Sequence, residues 1–152
     1  FARALTNPGG GFPGFRDVID QYSGTKAANT AQYYAGICYL NLGQFDKAIE
    51  ELEAFDPAGD ILPIMKYGAL GDAYSELQDW EQAISYYEQA IEARDNDFLT
   101  PYYMKKLALL YEYQDRNEEA LQQFKELKER YPESTDAENV DKYIARLESS
   151  VG

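Results

Sequence analysis

The sequence predicts an all-α fold in which antiparallel helix pairs stack into a solenoid. Three observations predict it. One set of residues recurs at spacings of 35 and 37 positions. Each period holds two stretches with apolar residues at three- and four-residue steps, the mark of amphipathic helices. The breaks between the two stretches are two or three residues long, which forces the helices to run antiparallel.

The recurrence is clearest when Gly36, Gly71 and Ala108 are aligned. Three positions later stand Tyr39, Tyr74 and Tyr111. Ala48, Ala83 and Ala120 follow at twelve positions from the small residue, and Leu52, Tyr87 and Phe124 four further on. A small residue lets two helices approach, so the first column marks a tight crossing within each pair, faced by the alanines of the second helix. The large residues fill the space left over.

The elements follow in order. Residues 1–13 read as an N-terminal remnant, with Phe1–Leu5 too short for a helix and Asn7-Pro8-Gly9-Gly10-Gly11 rich in turn formers. Residues 14–22 read as the second helix of an earlier repeat, because Phe15, Val18 and Tyr22 correspond to Phe124, Leu127 and Tyr131 at an offset of 109. The first helix of that repeat is expected upstream of Phe1. The complete repeats are 26–56, 61–94 and 98–131. Their internal breaks are Leu42-Gly43-Gln44, Gln78-Asp79 and Asp115-Arg116-Asn117. Gly24-Thr25-Lys26 reads as a helix start. Thr100 before Pro101 reads as an N-cap and first helical position. Thr135 with Glu138 reads as a capping box that opens a polar-faced capping helix over 135–148. The whole of 14–148 is one domain.

Charge narrows the class of ligand. The chain has 27 acidic and 14 basic residues, a formal net charge of -13. Nucleic acid is gripped by clustered Lys and Arg, so a nucleic-acid ligand is excluded, and anionic membrane surfaces with it. No run of about 20 apolar residues is present to cross a bilayer.

Catalytic signatures are absent. There is no His among the 152 residues, which removes the commonest general base and every Ser-His-Asp or Cys-His arrangement. Cys38 lies between Ile37 and Tyr39 in a helix, the setting of a small buried hydrophobe. Gly9-Gly10-Gly11 is not followed by Gly-Lys-Ser or Gly-Lys-Thr, so it is no phosphate loop. Asp56–Asp60 lacks the spacing and closing Glu of a calcium loop. Asp95-Asn96-Asp97 reads as a solvated turn. No catalytic residue, cofactor or metal site is expected.

The recurring columns are those of the tetratricopeptide repeat, and the chain resembles that family over 14–148. The second repeat carries the pattern most fully, with Tyr67, Leu70, Gly71, Tyr74, Ala83, Tyr87 and Ala90. The first keeps Gly36, Tyr39, Ala48 and Leu52 but has Phe55 where Ala is usual. The third keeps Leu107, Tyr111, Ala120, Phe124 and Pro132 but has Ala108 for Gly and Leu127 for Ala. The resemblance implies a right-handed superhelix and a non-catalytic scaffold that binds protein or peptide on its concave surface. The junction Tyr131-Pro132-Glu133-Ser134-Thr135-Asp136-Ala137 looks like that of bacterial cell-envelope members. It implies a periplasmic setting with an anchor upstream of Phe1, and a cytoplasmic setting is the alternative.

In the family the first helix of each pair lines the concave surface. Three- and four-residue steps then give a candidate binding face. It comprises Tyr33, Tyr34, Ile37 and Asn41 in the first repeat and Met65, Gly68, Asp72 and Glu76 in the second. Tyr102, Lys105, Lys106, Leu109 and Tyr113 complete it in the third. Gly68 and Ala69 are expected to leave room for a ligand backbone. This face is aromatic and apolar at its ends and acidic in the middle, which suits an apolar or basic segment. Some family members clamp a terminal carboxylate with Lys and Asn. Here Asp72 and Glu76 oppose an anion, so no such clamp is expected. The alternatives are a homodimer built on exposed tyrosines and the end helices, or a regulatory module of a larger protein.

Overall fold

The computed structural model describes residues 1–6 and 9–151, the side chain of Val151 excepted. Asn7 and Pro8 of the turn-rich stretch lie outside the described residues. Within them the chain forms α1 (Ala2–Thr6), α2 (Phe15–Gln21), α3 (Lys26–Asn41), α4 (Phe45–Ala54), α5 (Leu62–Glu76), α6 (Trp80–Ala93), α7 (Leu99–Tyr113), α8 (Asn117–Arg130) and α9 (Val140–Val151). The pairs α3–α4, α5–α6 and α7–α8 are the three repeats. Each helix packs on the next along the chain. In addition the backbones of α3 and α5, and of α5 and α7, approach one another, whereas those of α4 and α6, or α6 and α8, do not; α4 and α6 meet only through long side chains, as where Tyr86 Oη donates to Glu53 at 3.3 Å. First helices that crowd together while second helices stay apart make a curved stack, with α3, α5 and α7 on the inside.

The three repeats turn in the same way. Gly43, Gln78 and Asp115 adopt left-handed backbone, with φ of 69°, 61° and 57°. The amide after each donates back to the column tyrosine: Gln44 N to Tyr39 O at 3.0 Å, Asp79 N to Tyr74 O at 3.0 Å, and Arg116 N to Tyr111 O at 2.9 Å. The left-handed residue donates to Leu40, Ser75 and Glu112 in turn. This is the Schellman closure, which satisfies carbonyls that a helix end otherwise leaves bare. The repeat of 35 and 37 residues is therefore also a repeat of one backbone conformation.

The small-residue column sits where a crossing needs it. A Cβ on Gly36 would lie 2.6 Å from Leu52 Cγ, and one on Gly71 2.6 Å from Tyr87 Cδ1. Ala108, Ala48, Ala83 and Ala120 are fully buried. The offset of 109 is geometric as well. Phe15 stacks on Tyr34 at 5.5 Å and 16°, and Phe124 stacks on Tyr143 at 4.9 Å and 12°. Thus α2 relates to α3 as α8 does to α9. Glu51 of α4 is buried and pairs with Arg16 of α2. Burial pushes the Glu51 carboxyl up, and the Arg16 charge pulls against it.

Three terminal details differ from expectation. Ala2–Thr6 does form a helical turn, because Leu5 is buried against Ala35, Cys38 and Tyr39. Tertiary packing holds a segment too short to be helical alone. At α7 the residue before the helix is Phe98, not Thr100, and the Asn96 side chain satisfies the first amides. Asn96 Oδ1 accepts from Phe98 N at 3.0 Å and Leu99 N at 2.9 Å. Thr100 lies inside the helix, fully buried; its hydroxyl accepts from Asn96 N at 2.9 Å and donates to Arg94 O at 3.2 Å. The last helix starts at Val140, not at 135. Asn139 has φ of 62°, which interrupts the helical path, so Thr135 and Glu138 fall in the turns before it.

Candidate functional site

The inside of the curve holds a cleft of about 850 Å³ where the C-terminal halves of α3, α5 and α7 converge. Asn41 ends α3, Asp72 and Glu76 stand one turn apart on α5, and Lys106, Leu109 and Tyr113 climb α7. Asn41, Glu76 and Tyr113 occupy the same position of successive repeats. So six of the expected residues line one cavity: Asn41, Asp72, Glu76, Lys106, Leu109 and Tyr113.

The charges in the cleft are partly committed. Asp72 accepts from Lys106 Nζ at 2.6 Å and from Tyr87 Oη at 2.7 Å. The Lys106 ammonium also lies over the Tyr102 ring at 5.0 Å and the Tyr87 ring at 5.8 Å. Burial pushes the Lys106 ammonium down, yet Asp72 and Tyr102 together outweigh it and the net shift is upward. Burial, with Asp72 beside it, drives the Tyr87 phenol far up, so it stays a donor. Glu76, in contrast, is exposed and has no hydrogen-bond or ion-pair partner among the described residues. The acidic middle of the expected face is thereby reduced to one free carboxylate.

The remaining expected residues are elsewhere. Tyr33 is buried, edge-on to Tyr34 at 5.4 Å and tilted against Phe55 at 5.3 Å, and burial pushes its phenol up. Gly68 is buried as well, and the room expected there is taken: an added Cβ would lie 1.9 Å from Tyr103 Cζ. Ala69 is only 5% exposed. Ile37 and Met65 are half-buried against the Tyr33–Leu52–Leu70 cluster. Tyr34 faces the N-terminal end with Phe15, and Lys105 turns to Asp136 at 3.4 Å. Tyr102 stays exposed above Lys106.

Sequence reasoning restricted to the first helices missed part of the lining. Phe45 and Trp80 open α4 and α6 and reach the cleft from the turns, with Leu40, Ser75, Gln78, Tyr87 and Leu110 between them. A signal was there: Phe45 and Trp80 form their own column, two positions after the left-handed turn residue. The indole of Trp80 lies 5.2 Å from the Tyr113 ring at 59°.

Comparison with known proteins agrees with this architecture. Models of the tetratricopeptide repeat match residues 63–133 and residues 30–55. The chain belongs to the tetratricopeptide repeat family. Repeats of this family mediate protein–protein interaction as scaffolds. No curated protein matches the chain. No helix among the described residues is long and apolar enough to cross a membrane.

Proposed function

We propose that this protein is a non-catalytic scaffold that holds a peptide or protein segment in the cleft between α3, α5 and α7. The observation that carries this reading is the cleft itself: an open cavity of about 850 Å³ on the inner face, lined by residues of all three repeats. Apolar surface at Leu109 and Tyr113, which are 38% and 69% exposed, supplies the driving force for a guest. Tyr and Trp offer large contact area at small entropic cost. A chain charge of -13 favours apolar or basic guests over acidic ones.

The test is affinity capture from the membrane and soluble fractions of the source organism. The native chain is compared with a Leu109→Glu/Tyr113→Ala variant whose thermal melt is unchanged. The junction at Tyr131–Ala137, with its likeness to cell-envelope members, makes the membrane fraction the first to examine. A partner held by the native chain and lost by the variant supports the reading. Partners retained by both would move the binding surface off the cleft, and a concentration-dependent mass without any partner would favour the homodimer.

A further inference from the structure

The cleft has an uneven chemistry. It contains two carboxylates and one ammonium, and the ammonium of Lys106 is committed to Asp72. What remains is Glu76, exposed and unpaired. Four residues on, at the start of α6, is Trp80, and at Glu76's own position in the next repeat is Tyr113. The Trp80 and Tyr113 rings are tilted by 59° with centroids 5.2 Å apart, so together they form an aromatic notch in the same cavity that Glu76 lines, with most of the Tyr113 ring in solvent.

Several tyrosine rings of this chain are covered by its own cations. Arg116 lies over Tyr111 at 4.5 Å and Arg146 over Tyr143 at 5.2 Å. Among the described residues no cation lies over Trp80 or Tyr113. A ring face is attractive to a cation because of its quadrupole, most strongly for Trp. A carboxylate alongside adds charge-assisted hydrogen bonds. An aromatic notch with a free carboxylate and no resident cation is a receptor half whose complement is missing.

We propose that the notch formed by Glu76, Trp80 and Tyr113 takes a basic side chain, arginine above all, from the segment bound in the cleft. This rests on the cleft being the binding site. Arginine fits better than lysine because its flat guanidinium can lie on the indole while offering a fork of donors to both oxygens of Glu76. Leu40, Leu109 and Leu110 line the same cleft, so the residues flanking the arginine are apolar. The guest is therefore a segment with one arginine among leucine-like side chains. An acidic side chain is rejected by Glu76, and the field of a chain at -13 draws basic segments inward.

Trp80 is the single tryptophan, so its indole reports this notch without labelling. The experiment titrates the chain with acetyl-Leu-Leu-Arg-Leu-Leu-amide and with the citrulline counterpart, which keeps the shape and loses the charge. The indole N–H resonance and Trp fluorescence are followed in both. The expected result is saturable movement with the arginine peptide and affinity about tenfold lower with citrulline, the scale of one charged hydrogen-bond partner. Glu76→Gln, at an exposed and unpaired position, keeps the melting temperature and brings the arginine peptide down to the citrulline level. Equal affinities for the two peptides would overturn the cationic notch while leaving the cleft as a site for apolar segments. No indole response to either peptide would overturn it too, and the capture experiment would then judge the cleft separately.

Discussion

The phenol ring of Tyr103, on α7, fills the notch that Gly68 leaves on α5, so that a Cβ at position 68 would lie 1.9 Å from Tyr103 Cζ and 2.1 Å from Oη. Tyr103 is buried and also stacks on Tyr87 at 6.2 Å. One aromatic side chain thus locks the second and third repeats at a fixed approach. Gly68→Ala is expected to destabilise the fold by about 1–3 kcal/mol, the cost of overpacking a filled site. Tyr103→Leu in the Gly68→Ala background should recover part of that loss. Urea midpoints of the four forms check this; strictly additive effects would show that the two positions do not share one space.

The turns predict a ranked series. Gly43, Gln78 and Asp115 hold the same left-handed conformation, but only the first is glycine. A side chain in that region costs about 1 kcal/mol relative to glycine. Gln78→Gly should therefore stabilise by about 0.5–1 kcal/mol, and Gly43→Gln should destabilise by a similar amount. Thermal melts of the two variants should move in opposite directions. Movement of both downward would mean that Gln78 makes a compensating interaction in the turn.

Much of this was legible in the sequence, for identifiable reasons. The columns at Gly36, Tyr39, Ala48 and Leu52 recur because the same crossing and the same turn recur, and both depend on local residue choice. The binding face was legible only in half. Three- and four-residue steps define a helix face, but they do not say how far the next helix covers it. Tyr33 disappears under Phe55, and Gly68 under Tyr103, because of side chains that reach from neighbouring elements. The start of α9 departs from the spacing of Thr135 and Glu138 because the left-handed Asn139 interrupts the path to the helix. Phe45 and Trp80 recur in register, but they open second helices, which a face drawn on the first helices does not include.

The Asp72–Lys106 pair joins α5 to α7 at 2.6 Å, with both side chains less than one third exposed. Removing one partner leaves the other half-buried and unpaired, which costs more than the pair itself contributes. Asp72→Asn is expected to destabilise by about 1–2 kcal/mol. Lys106→Met should cost less, because a methionine can still cover the Tyr87 and Tyr102 rings. A double-mutant cycle between the two sites should give a coupling of at least about 0.5 kcal/mol. A coupling near zero would mean that the contact is a surface pair without energetic weight.

Alkaline pH should unfold this protein through its tyrosines, and the sign can be worked out. Burial, with Glu53 alongside, pushes the Tyr86 phenol up to about 12. Burial and a hydrogen bond to Glu88 push Tyr111 up to about 12. Tyr87 and Tyr103 are driven higher still by burial and by Asp72. An unfolded tyrosine ionises at about pH 10. Between that value and the raised folded values, the native chain holds protons that the unfolded chain has lost, so stability falls as pH rises. The stabilising contribution is complete below about pH 10 and disappears through about pH 12. Lys106 acts in the same direction, since its ammonium is held above its ordinary value by Asp72 and Tyr102 against the effect of burial. Urea midpoints should hold between about pH 7 and about pH 9 and drop steeply by about pH 11. Tyr87→Phe should make that drop shallower, because it removes the phenol buried against Asp72. A midpoint that stays level to about pH 11, with phenolate absorbance rising in the folded state, would show that these rings ionise in place.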